Sequence, residues 1–114
     1  MNENELTGLL ESLRRMGSDD LSVEVKESAM TLSRDVWETV SAFANTAGGI
    51  IVLGVSERAG FVPVANFETE KVLNQFVAGM GDAGGRGKLA NPPKYTIERV
   101  GLRGTYSIGA AISL

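Results

Sequence analysis

Apolar residues along the chain change period several times, and each change marks an element. Leu6, Leu9, Leu10, Leu13 and Met16 fall on one helical stripe. Asn2 or Asn4 is placed to cap this first helix, and Gly17 to stop it. Leu21, Val23 and Val25 then alternate with Ser22, Glu24 and Lys26, which predicts a half-buried strand over 21–26. Helical spacing returns in Val36, Val40, Phe43 and Ala44, with Thr31 or Ser33 as cap and Trp37 giving partial cover. Asn45 and Thr46 end it, and Gly48-Gly49 supply backbone freedom for a tight turn. The run Ile50-Ile51-Val52-Leu53 has no polar member, so 50–56 reads as a central strand buried on both faces.

After a turn at 56–60, the stretch 61–64 is a short strand, with Pro63 suited to an edge or an end. Asn66 caps a third helix whose apolar face is Val72, Leu73, Phe76 and Val77. Two strands, 95–100 and 105–113, close the pattern as a hairpin. The expectation is an α/β (α+β) domain: one mixed sheet of about five strands with three packed helices. The 114 residues suit a single domain, expected to be the N-terminal part of a longer protein with further domains downstream.

Composition narrows the chemistry. The chain has no histidine and no cysteine, which removes imidazole catalysis and zinc sites built from those residues. The net charge of −3 argues against a uniformly basic surface, although a local basic patch remains compatible with it. No apolar run approaches the roughly 20 residues needed to span a bilayer, and the polar, acidic N-terminus is unlike an export signal. No membrane association is expected, and a cytoplasmic location is the default.

Charged residues offer few specific motifs. Arg14-Arg15 at a helix end suits the helix dipole without a phosphate. Gly79 to Gly84 matches GxGxxG, but it follows a helix and leads to Pro92-Pro93, the wrong context for a dinucleotide fingerprint. A mobile surface loop is the simpler reading, with Arg86 and Lys88 on it available to a polyanion. Glu24 and Lys26 project from one strand face, where a solvated ion pair of little energetic weight is the plain interpretation.

The segments Val23-Glu24-Val25-Lys26-Glu27-Ser28, Ala42-Phe43-Ala44-Asn45-Thr46-Ala47-Gly48-Gly49 and Ile50-Ile51-Val52-Leu53-Gly54-Val55 together resemble the Schlafen AlbA_2 family, also called divergent AAA-4. Asn45, Gly48 and Gly49 are its structural motif residues here. The resemblance implies a nucleic-acid-binding regulatory domain, usually DNA-binding and attached to bacterial transcriptional regulators. In the Schlafen branch it implies instead a metal-dependent ribonuclease with three carboxylates. Carried over, Glu24 matches the motif acid, Asp19 lies five residues before it, and Glu57 is the substitute after the buried strand. Such a trio would hold Mg or Mn, with Lys26 nearby. Lys26, Arg58, Arg86 and Lys88 are the candidate nucleic-acid contacts. A third reading is an oligomerisation module, in the simplest case a homodimer.

Overall fold

The computed structural model describes residues 1–17, 22–101 and 108–114. In chain order the elements are α1 (Glu3–Met16), β1 (Val23–Lys26), α2 (Val36–Ala44), β2 (Ile50–Leu53), β3 (Val55–Ser56), β4 (Val62–Pro63), α3 (Thr69–Gly79), β5 (Thr96–Gly101) and β6 (Ile108–Ser113). The four-stranded sheet has the order β1-β2-β6-β5, and β3-β4 form a separate two-stranded ribbon. β1 runs parallel to β2, with α2 as the crossover, while β2–β6 and β6–β5 are antiparallel.

The apolar run lies inside this sheet, where the sequence places it. Ile51, Val52 and Leu53 are fully buried. Their side chains alternate between two cores. Val52 joins Val23, Val25, Val100 and Ala111 beneath Leu6, Leu10 and Leu13 of α1. Ile51 and Leu53 join Ala110 and Ile112 beneath Val36, Val40 and Phe43 of α2 and Val72, Leu73 and Phe76 of α3. A period of two in the strand thus puts one helix on one face and two on the other.

The predicted α+β class holds, but one strand assignment changes. The expected strand over 50–56 breaks at Gly54, whose φ of 90° is unfavourable for residues with a Cβ. A Cβ there would also lie 2.7 Å from the Phe67 ring. The break turns Val55–Ser56 out of the sheet to pair with Val62–Pro63. The stretch 61–64 therefore belongs to the ribbon rather than to the main sheet.

Helix starts differ in part. Asn2 caps α1 through a reciprocal box with Glu5. The predicted caps Thr31 and Ser33 are engaged elsewhere: Thr31 bonds Gln75 and Ser33 bonds Ser28, so α2 starts only at Val36. Asn66 takes a left-handed φ of 59° and α3 begins three residues later. Met16 and Ala44 fall outside their buried stripes and are exposed.

Gly48-Gly49 joins α2 to β2 at the end of β6. Gly49 exchanges two backbone hydrogen bonds with Leu114, and Gly48 has φ 89° with the Leu114 carbonyl directly where a Cβ would be. Gly48→Ala is predicted to cost at least about 2 kcal/mol from backbone strain and overpacking together. Gly8→Ala, in open space on α1, should gain about 0.5–1 kcal/mol. Chemical denaturation of the two variants checks both signs.

Candidate functional site

Two charged regions flank α2, and they differ in sign. The first forms where β1 ends and the Gly54 break redirects the chain. Lys26 shares a face of β1 with Glu24, and its Nζ lies 3.5 Å from Glu24 Oε1 and 3.0 Å from Asp35 Oδ2. Asp35 precedes α2 yet makes no side-chain capping bond; its carboxylate goes to the lysine. Burial lowers the Lys26 pKa, but the hydrogen bond and charge of Asp35, then the charge of Glu24, outweigh it and leave the ammonium raised.

Beyond Gly54, the buried Ser56 accepts a hydrogen bond from the Ala59 N–H, and the Gly60 N–H closes the turn on the Glu57 carbonyl. Arg14 of α1 donates to the carbonyls of Gly60 and Phe61 at 3.0 and 2.6 Å. That helix-end arginine is thus a clamp on the turn rather than a solvated charge. The turn brings Glu57 and Arg58 to a shallow cleft of about 330 Å³ that Lys26, Glu27, Ser33 and Asp35 also line. Arg58 reaches Glu27 at 3.5 Å. Carboxylates outnumber cations here, and both cations are paired.

Glu24, Lys26, Glu57 and Arg58 therefore gather around one corner of the fold, whereas Asp19 lies outside the described residues. Among the described residues no group of three acidic side chains is placed to hold a metal ion, and the Lys26 ammonium sits between Glu24 and Asp35. Glu24, Asp35 and Glu57 by themselves are not such a group, and the third acid of the expected trio, Asp19, lies outside the described residues.

The second region lies on the α2–α3 side. Arg86 and Lys88 border a concavity of about 380 Å³ with Arg34, Trp37 and Gln75. The glycine loop that carries them is docked, not free. The Lys88 N–H donates to the Gly79 carbonyl at 2.6 Å and the Asp82 N–H to the Val77 carbonyl. At Gly87 a Cβ would come within 2.7 Å of the Gly79 carbonyl oxygen, so glycine is required by close packing. From the far side the Tyr95 hydroxyl donates to Asp82 at 2.8 Å while its ring meets Phe76 edge-on. Arg34, Arg86 and Lys88 form no ion pair with a described residue, and among the described residues no carboxylate lines the concavity.

Over residues 19–111 the sequence matches the family model for the Schlafen AlbA_2 domain, well over half of the 114-residue chain. The chain belongs to the Schlafen AlbA_2 family. No curated protein matches it at a significant level. In this AlbA_2 domain the three motif segments become β1, the end of α2 with its glycine turn, and β2 with its break. Asn45, Gly48 and Gly49 serve that turn: Asn45 ends α2, and the Gly49 Cα faces the Phe43 ring.

Sequence reasoning missed Asp35, Arg34 and Trp37 as members of these regions. Arg34 lies in the turn before α2 and Trp37 in its first turn, so helical spacing alone did not join them. Asp35 had no signal either, because its pairing depends on how β1 meets α2.

The tie between the glycine loop and β5 is titratable. Burial first, and then the hydrogen bond and charge of Asp82, push the Tyr95 phenol up to about 12 from its usual 10.0. The unfolded chain loses this proton first, so the stability this group contributes is full below pH 10 and is lost as pH rises from there through about 12. Tyr95→Phe is predicted to flatten that part of the fall, measured by urea denaturation at successive pH values.

Proposed function

We propose that this AlbA_2 domain is a non-catalytic nucleic-acid-binding module, the DNA-binding regulatory part of a bacterial transcriptional regulator acting in the cytoplasm. The family supports the nucleic-acid reading. One observation supports the location of the contact. In a chain of net charge −3, Arg34, Arg86 and Lys88 meet at one concavity that no described acid lines. Phosphate contacts need cations that are not already neutralised. Lys26 and Arg58 are paired with acids, so they are poorer candidates than the sequence implied.

The helix ends near the concavity do not decide its sign. It borders the amino end of α2, which favours anions, and the carboxyl end of α3, which does not. The side-chain cations set the potential.

The competing reading is a Schlafen-type ribonuclease at the acidic cleft. The Glu24–Lys26–Asp35 cluster beside a cleft that Glu57 also lines favours it, but the described acids form no group of three able to hold a metal.

Binding of a labelled oligonucleotide, followed by anisotropy, should weaken steeply with salt. The slope of log K against log [salt] should be negative, by about 0.7 for each phosphate neutralised on a single strand. Arg86→Glu with Lys88→Glu should lower affinity at least about tenfold, while Glu57→Gln leaves it unchanged. Manganese-dependent RNA cleavage that disappears in Glu24→Ala would instead establish the nuclease.

A further inference from the structure

The concavity on the α2–α3 side contains more than charge. Trp37 borders it and is half-buried. Its indole stacks on Phe76, with ring centroids 5.5 Å apart and planes 19° from parallel. Gly79 lies so close to the six-membered part of the ring that a Cβ there would stand 2.0 Å from it. The indole is thus held from behind and along one side, and its N–H has no hydrogen-bond partner among the described residues. Gln75, which also lines the concavity, is fixed by accepting from the Leu32 N–H at 2.6 Å and by bonding Thr31. The cations Arg34, Arg86 and Lys88 complete the rim.

We propose that this concavity seats one unpaired nucleotide, with its phosphate on Arg34, Arg86 and Lys88 and its base against Trp37. The proposal rests on the nucleic-acid reading above and specifies the form recognised. Three observations carry it. The charged groups on the rim are all donors, as a phosphate requires. An immobilised aromatic ring stands beside them, the pairing of stacking surface and cation that single-strand binders use. The volume of about 380 Å³ is at the low end of small-ligand sites, about 300–1,000 Å³, which suits one nucleotide rather than a duplex. A paired base is stacked within its helix and cannot enter without being flipped out, so the site should discriminate against duplex.

Trp37 is the single tryptophan of the chain, so its fluorescence reports on this site directly. The chain is titrated with a single-stranded oligonucleotide, the blunt duplex of the same sequence, a nucleoside monophosphate and inorganic tripolyphosphate. Quenching by the single strand or the mononucleotide is expected, with duplex bound at least about tenfold more weakly and tripolyphosphate competing without quenching. Stronger quenching per nucleotide by the strand identifies a polymer as the source, and the reverse identifies a free nucleotide. Trp37→Phe, which keeps a ring on Phe76, should weaken a labelled single strand roughly tenfold. The exposed pair Arg86→Ala with Lys88→Ala should abolish the quench. Salt-dependent binding with no fluorescence change and no preference for single strand overturns the proposal while leaving nucleic-acid binding intact. No binding of any nucleic acid at low salt removes both.

Discussion

The burial of β2 on both faces is the constraint from which the rest of this domain follows. A strand with Ile51, Val52 and Leu53 fully buried requires partners along both edges and helices over both faces. β1 and β6 provide the edges, α1 one cover, and α2 with α3 the other. Each end of the strand is a glycine device. Gly48-Gly49 lets the Leu114 backbone approach at its start, and Gly54 ejects the chain at its exit under Phe67. Both charged regions are consequences. The exit places Glu57 and Arg58 beside β1, and the pairing of α2 with α3 brings Arg34 and Trp37 against the loop that follows α3.

The two regions use charge in opposite ways. At the acidic cleft the ammonium of Lys26, with only 12% of its side chain exposed, is satisfied by Glu24 and Asp35. That arrangement stabilises the β1–α2 corner and leaves little positive potential for a ligand. On the other side of α2 the cations have no ion-pair partner among the described residues, and the packing energy goes into holding the loop and the indole. A bidentate pair between Arg99 and Glu70, at 2.6 and 2.8 Å, adds a link from β5 to α3. It lies on the surface and is of small weight for stability. The anchoring of the glycine loop by backbone hydrogen bonds and by Tyr95 matters more for function, because it fixes where Arg86 and Lys88 stand.

Much of this architecture was legible in the sequence because it depends on local period. The stripe of α1, the alternation of β1 and the apolar run of β2 each have one sensible element assignment. What was hidden depends on contacts distant in the chain. Thr31 and Ser33 look like helix caps until Gln75 and Ser28 claim them. Residues 50–56 look like one strand until Phe67 packs on Gly54. Gly87 looks like loop freedom and is in fact a close backbone contact with the end of α3. The family motif led to Glu24, Lys26 and Glu57, which do share a corner. It was silent on Arg34 and Trp37, which lie outside its quoted segments and meet Arg86 and Lys88 only through the packing of α2 on α3.

The most direct measurement is a residue-by-residue map of amide chemical-shift changes when a single-stranded oligonucleotide is added to the isotope-labelled chain. The largest changes are predicted at Arg34, Trp37, Gln75, Arg86 and Lys88. Changes concentrated instead at Lys26, Glu57 and Arg58, with the α2–α3 side silent, would place the contact at the acidic corner and contradict the assignment.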